Sequence, residues 1–448
     1  MMCQPGRLLF SLVLCGWLGG CVLFGAAPGV AQVAVQIGKN HQRVKQRFRS
    51  VIARANQSTV RIFSSDQPWD VALGTLVGRG NYVLTTARRL HGNLRCQLVD
   101  GRQVHAQRVA TIKERDVALL RLASHDLPPV VWSRGPLPPV GSLLATPGRG
   151  PDPIAIGVVS IPGSATNGWG LWHDTILRPN DCGGPVVDLT GRVVGINMVS
   201  GERVTSLALP ASAVQAILEQ LATDHKNLAD LHVDRTDPPD RPSVDAPNGL
   251  LKFETKIRSA AKRAIACTVG LRIGHTMGSG VIISGDGYVL TAAHVSRQAG
   301  LPVKIFLADG RTAAGKTLGA NRTTDAGLVQ IDPPGPWPHA TRAARGRAGP
   351  ATAAGRWCVA TGHPSGYQRG RPPVLRMGRI LNAARDAIVT DCVLKQGDSG
   401  GPLFDIEGNL LGIHERIGHG LANNVHLPLR LFHTDWSRLV QGEVWGSQ

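Results

Sequence analysis

The chain repeats itself, and that repeat limits its fold more than any other feature. "GTLVGRGNYVLTTARRL" (Gly74 to Leu90) lies over "GVIISGDGYVLTAAHVS" (Gly280 to Ser296) without a gap. "LVDGR" at 98–102 answers "LADGR" at 307–311, and "ERDVALLRL" at 114–122 answers "TTDAGLVQI" at 323–331. "DTILRPNDCGGPVVDLTGRVVGI" (174–196) then answers "DCVLKQGDSGGPLFDIEGNLLGI" (391–413). Matches in one order along 448 residues mean two homologous domains, in keeping with a length that suits two or three.

Each half reads as mostly β. Short apolar segments bounded by Gly, Asp or Asn recur, among them "YVLTTA" and "YVLTAA", "VALLRL" and "GLVQI", "RVVGINMV" and "NLLGIH". A helical period opens each half, in "RVKQRFRSVIARANQ" and "FETKIRSAAKRAIA", where apolar residues return at three and four. "SLALPASAVQAILEQL" (206–221) reads as a closing strand and helix, so the first half is expected to fold. "DRTDPPDRPSVDAPNG" (234–249), rich in Pro and Asp, reads as an extended linker. The expected divisions are a signal peptide over 1–31, a first domain over 40–225, a linker over 226–249 and a second domain over 250–442.

The amino terminus carries a short positive region, an uncharged apolar run from Leu8 to Phe24, and small residues in "GAAPGVAQ". Cleavage after Ala31 fits this pattern. "LGGC" ending at Cys21 offers lipid attachment instead, and an uncleaved anchor is the third reading. All three place the body outside the cytoplasm, periplasmic or extracellular. Beyond that segment only Cys96, Cys182, Cys267, Cys358 and Cys392 remain; the odd number leaves at least one without a disulfide partner. No C-x-x-C pair occurs, and His414, His419 and His426 lack fixed spacing, so neither metal nor cofactor is expected.

The net charge of +18 is scattered through both halves. It reads either as a basic surface without a dedicated partner or as attraction to an anionic envelope surface, of lipid or cell-wall polymer. No aromatic-interleaved basic motif supports nucleic acid, which is not expected as a partner.

"TAAH" and "GDSGGP" resemble the histidine and serine boxes of the chymotrypsin clan of serine peptidases, and "TDCVLKQGDSGGP" (390–402) resembles the HtrA/Deg branch. The order His294, Asp325, Ser399 is that clan's order. The resemblance covers both halves nearly end to end. It implies two tandem trypsin-like domains, each a pair of six-stranded β-barrels with the site in the cleft between them. The carboxyl-terminal PDZ module usual in that branch is not expected within these residues. The substrates it implies are proteins or peptides.

The chemistry can be read without the family. A serine hydroxyl needs an adjacent base; His294 suits that role, with Asp325 to fix its tautomer. The N–H groups of Gly397 and Ser399 would hold the oxyanion. Asp398 departs from the branch, which usually has Asn there; in trypsin-type enzymes an Asp at that place pairs with a new amino terminus, but no "IVGG"-like segment precedes this half. "GIHERIGHG" (412–420) is the expected pocket wall. His414 there is expected either to favour an acidic residue before the scissile bond or to be a solvated loop histidine.

Aligned on the same boxes, the first half puts Arg88 at the place of His294, Cys182 at that of Ser399 and Asn180 at that of Gly397, keeping only Asp116 for Asp325. Arginine cannot serve as a base. A swing of His91, or a thiolate at Cys182 favoured by Arg88, are the imaginable rescues, and a redox role for Cys182 is a further one. The expectation is a pseudoprotease first domain with a binding or regulatory role beside a catalytic second. The competing class is a wholly non-catalytic tandem module that binds protein or envelope surface.

Overall fold

The computed structural model describes residues 37–447 apart from 80, 124–126, 149, 164–169, 200–204, 226–227, 229–230, 232–247, 342–351 and 419–421. The expected signal segment with Cys21, most of the expected linker, and His419 lie outside the described residues. Among the described residues, no helix is long and apolar enough to cross a membrane.

The first half enters through a helical segment ending in α1 (Arg49–Gln57). It continues into β1 (Thr59–Ser64), β2 (Asp70–Val77), β3 (Tyr82–Thr86), β4 (Leu94–Gln97), β5 (Gln103–Ile112) and β6 (Val117–Leu122). These close into a barrel of order β1-β2-β3-β6-β5-β4. β3 is buried along its whole length because it lies between β2 and β6. Its run of Tyr, Val, Leu and Thr therefore suits a strand covered on both faces.

A six-stranded sheet follows, formed by β7 (Leu143–Thr146), β8 (Ala155–Val158), β9 (Leu171–His173), β10 (Pro185–Val187), β11 (Val193–Val199) and β12 (Ser206–Pro210). Its order is β8-β7-β10-β11-β12-β9, and an antiparallel bridge between Val159 and His173 brings its edges together. Helix α2 (Ala211–Asp224) closes the half, burying Val214, Ile217, Leu218 and Leu221.

Helix α3 (Asn248–Cys267) opens the second half and starts within the expected linker. It buries Leu250, Ile257, Ala260, Ala261 and Ala264 on one stripe. β13 (Thr268–Ile273), β14 (Thr276–Ile282), β15 (Tyr288–Ala292), β16 (Pro302–Phe306), β17 (Thr312–Asn321) and β18 (Ala326–Asp332) repeat the first barrel's order, closing through β16 and β17. The terminal β25 (Val444–Trp445) adds to β17 in parallel. β19 (Trp357–Gly362), β20 (Val374–Ala383), β21 (Ile388–Thr390), β22 (Pro402–Asp405), β23 (Leu410–Arg416) and β24 (Asn424–Pro428) form the last closed barrel, of order β19-β20-β21-β24-β23-β22. Helix α4 (Leu429–Val440) ends the half. The expected fold class, mostly β with paired six-stranded units, is the observed one.

The halves share one hydrophobic core, in which Leu143, Val158 and Ile217 belong to the same cluster as Ile257, Val359 and Met377. Polar bonds cross with it. Glu254 on α3 accepts from Leu143 N–H at 2.8 Å. Lys39 donates its backbone N–H to Asp391 at 2.6 Å and its ammonium to Asp174 at 2.7 Å.

Candidate functional site

His294 sits in a single helical turn (Ala293–Ser296) immediately after β15, and Asp325 directly before β18, the neighbouring strand. Strand pairing thus brings together residues far apart in sequence. Asp325 has φ 58°, in the left-handed region, which turns its carboxylate back over the end of β15. One oxygen accepts the His294 backbone N–H at 2.8 Å and the other meets His294 Nδ1 at 2.8 Å. Nε2 is left to act outward, on a side chain 38% exposed. The hydrogen bond that His294 donates to Asp325 raises the His294 pKa above its ordinary 6.5, against the lowering effect of burial, and nearby Glu415 adds to the rise.

Ser399 is half-buried in the turn between β21 and β22. Its carbonyl accepts from Ser279 N–H at 2.8 Å, and Ser279 Oγ donates to Gly397 O at 2.8 Å while accepting from His363 N–H at 2.9 Å. The turn is therefore stitched to β14. A Cβ on Gly400 would collide with Ser279 O and Thr291 Oγ1 and lie 3.1 Å from Ala292 N, two residues before His294. This close approach seats Ser399 against the strand end that carries the histidine.

Gly397 has φ 94°, and a Cβ there would fall 2.6 Å from His363 O. With the chain so turned, Asp398 N–H donates to Lys395 O at 3.0 Å, Gly400 N–H to His414 O at 2.8 Å and Gly401 N–H to Asp398 O at 2.8 Å. The N–H groups of Gly397 and Ser399 have no acceptor among the described residues. Such a pair of uncommitted donors beside a hydroxyl is suited to stabilising negative charge on a carbonyl oxygen.

The first half places its aligned residues in the same frame. Arg88 bonds Asp116 through its backbone N–H at 2.7 Å and its Nε at 2.6 Å. Cys182, 4% exposed, accepts from Leu73 N–H at 2.9 Å through its carbonyl, as Ser399 does from Ser279. The turns themselves differ. Asn180 lies in a 3₁₀ turn (Pro179–Asp181), and the Cys182 N–H donates to Pro179 O at 3.4 Å.

His414 departs from both expectations. It is fully buried, with Nε2 3.2 Å from Thr361 O and Nδ1 2.9 Å from Nδ1 of His426, whose Nε2 meets Thr390 Oγ1 at 2.8 Å. Burial, with His426 and Arg376 beside it, holds its pKa well below 6.5. It is thus not a solvated loop histidine, and a neutral ring does not supply the cation that a preference for acidic residues would need. Among the described residues no cluster suited to a metal occurs. Cys358 and Cys392 are both buried, with sulfurs 3.7 Å apart.

Residues 72–196 and 278–413, together more than half of the chain, each match the family model of the trypsin-like peptidase domain. The chain belongs to the trypsin-like peptidase family. Among members of known sequence it is similar to the putative protease Do-like 14 of Arabidopsis thaliana, 30% identical over 227 residues, covering 46% of this chain and 50% of that protein. The putative serine protease HhoA of Synechocystis is 34% identical over 152 residues, covering 31% and 36% respectively. A probable periplasmic serine endoprotease, DegP-like, of Ectopseudomonas mendocina is 31% identical over 150 residues, covering 33% and 30%. The chain thus spans about half the length, or less, of these relatives. Among solved structures, the serine endoprotease from Yersinia pestis aligns with a TM-score of 0.36 at 26% identity, over 41% of this chain and 65% of that one. The relatives agree with the HtrA/Deg resemblance read from residues 390–402.

Sequence reading of this trypsin-like peptidase missed Ser279, which holds both ends of the serine turn, and Arg376, whose guanidinium lies under it. Arg376 is fully buried on β20 and donates to Asp398 Oδ2 at 2.7 Å. The signal available was an arginine within the strand-like "VLRMGRI". Arg379 stands in the same stretch, and neither arginine announces its partner.

Proposed function

We propose that the chain is an exported serine endopeptidase whose second half hydrolyses peptide bonds in proteins or peptides. The observation that carries this reading is the His294–Asp325 pair set beside a serine turn with two uncommitted N–H donors. Nε2 of His294 takes the Ser399 proton as Oγ attacks the substrate carbonyl. Asp325 keeps the second ring proton on Nδ1 and stabilises the imidazolium that forms. The N–H groups of Gly397 and Ser399 receive the oxyanion, and the imidazolium returns its proton to the leaving amine. Water, activated by the same histidine, then releases the acyl group. Export is supported by the amino-terminal pattern and by the periplasmic naming of the Ectopseudomonas relative.

The first half, in this reading, is a pseudoprotease. Arg88 has no lone pair to accept a proton, and the donor that Ser399 would use is occupied at Cys182. The test is labelling of the full chain with a fluorophosphonate, alongside Ser399→Ala, His294→Ala and Cys182→Ala. Loss of label in the first two with retention in the third is the expected result. A folded wild type that takes no label would overturn the peptidase reading in favour of a non-catalytic binding module.

A further inference from the structure

The edge of β20 is where the two halves meet, and it is also where the support of Ser399 begins. β20 pairs with β19 through Gly362↔Val374 to Trp357↔Arg379, and with β21 only from Ile380 onward. Over Leu375–Met377 the edge facing away from β19 is taken by the first half. Leu375 N–H donates to Ser160 O at 3.0 Å, and Met377 N–H to Asp174 Oδ2 at 2.7 Å. Asp174 is itself fastened, accepting from Val158 N–H at 2.7 Å and from the Lys39 ammonium at 2.7 Å, with both partners of that ion pair 2% exposed.

Between the two clamped residues stands Arg376. It reaches the opposite way, into the last barrel, where it pairs with Asp398, the residue between Gly397 and Ser399; the side chains are 0% and 1% exposed. The same Asp398 oxygen accepts from Lys395 N–H at 2.8 Å. One carboxylate oxygen thus ties the start of the serine turn to a cation on β20.

The first half lacks that cation, and its turn also carries Pro179 and Asn180 where the second has Gln396 and Gly397. Strand register puts Ala155 where Arg376 stands, since Thr146↔Ala155 answers Ala360↔Arg376. Asp181, aligned with Asp398, keeps the backbone bond, accepting from Arg178 N–H at 2.8 Å as Asp398 does from Lys395, but its cation is the local Arg178 Nε at 3.4 Å, on a side chain 69% exposed. There the turn is 3₁₀ and its cysteine N–H is spent on Pro179.

We propose that Arg376 is a positioning residue for the oxyanion turn and that the first half, through Ser160 and Asp174, holds Arg376 in place. The retained first domain is in this way a built-in effector of the second domain's site. The inference rests on the peptidase reading and names the regulation of the same site. It joins sequence-distant elements through contiguous hydrogen bonds, of which those of the Asp174 carboxylate and of the Arg376–Asp398 pair can be altered by substitution.

The experiment compares full-length wild type with Arg376→Gln, Arg376→Lys, the double variant Arg376→Met with Asp398→Asn, and Asp174→Asn. Three quantities are read: the fluorophosphonate labelling rate, kcat and KM on a fluorogenic peptide amide, and amide hydrogen exchange over 394–401. Arg376→Gln is expected to lower kcat by about 100-fold with KM within about threefold, the scale of losing an oxyanion donor. Arg376→Lys recovers about tenfold of that loss, which a role in packing alone would not produce. Asp174→Asn, outside the cleft, lowers the labelling rate about tenfold and speeds exchange over 394–401. If Arg376→Gln does not fold, the charge-free double variant and Asp174→Asn decide. Folded Asp174→Asn protein with wild-type labelling and wild-type exchange over 394–401 overturns the proposal. A wild type that takes no label would defeat the peptidase reading instead, and the exchange comparison still judges the clamp.

Discussion

Arg88 and Asp116 are joined by two hydrogen bonds, at 2.7 Å from the backbone N–H and 2.6 Å from Nε, that reproduce the two between His294 and Asp325. Both aspartates sit at positive φ, 54° and 58°, and both return a carbonyl to the residue before the paired side chain. The carboxylate cradle is a property of the barrel's strand ends. It accepts an imidazole and a guanidinium alike, so its persistence in the first half carries no information about catalysis there.

Restoring the first half therefore takes more than its base. In a Ser399→Ala background, Arg88→His with Cys182→Ser is expected to label with fluorophosphonate at least about 100-fold more slowly than the wild-type second half, because the Cys182 N–H position remains bonded to Pro179 O. Adding Asn180→Gly frees that turn and is expected to raise the rate. Full labelling of the two-site variant would show that the turn is not the obstacle.

The pH profile follows from the His294 pair. Its pKa is raised, chiefly by the Asp325 hydrogen bond, and the general base must be neutral. The acid limb of kcat/KM is therefore expected to turn above 6.5. Asp325→Asn should move it downward and reduce kcat by about 10⁴-fold. The linked stability has the opposite sense: it is fully present below the unfolded value near 6.5 and is lost as pH rises through the folded value. An acid limb at or below 6.5 in the wild type contradicts this assignment.

Acid sensitivity of the fold comes from other histidines. Burial, with Arg371 and Arg376 nearby, lowers His363 to about 3, and burial lowers His426 to about 3. Their folded values lie below the unfolded 6.5, so stability is held above 6.5 and declines as pH falls toward 3. Each contributes a slope approaching about 1.4 kcal/mol per pH unit well below 6.5. Urea titrations between pH 7.5 and 5 should show the loss, with a shallower slope in His426→Gln. A midpoint independent of pH over this range would refute it.

Gly397→Ala combines two penalties at one atom. The left-handed φ of 94° disfavours any side chain, and the new Cβ would meet His363 O at 2.6 Å as well as Gly366 N. A loss of about 1–3 kcal/mol in stability, read from the denaturation midpoint, is expected with strongly reduced labelling. Unchanged stability and labelling would mean that the turn adopts another geometry.

The sequence by itself determined the doubling, the mostly β character of each half and which residues answer one another in the two copies, His294, Asp325 and Ser399 against Arg88, Asp116 and Cys182. It could do so because local signals decide these things: apolar alternation, glycines at turns, and residue types at fixed places in boxes. The seating of Ser399 on β14 through Ser279, the burial of His414 against His426, and the path from Asp174 through β20 and Arg376 to Asp398 belong to the tertiary structure. No local preference marks a strand edge left open between Leu375 and Met377 or says which half will cover it. Asp174 and Met377 are 203 positions apart, and a buried arginine finds its carboxylate only when the last barrel has closed around both.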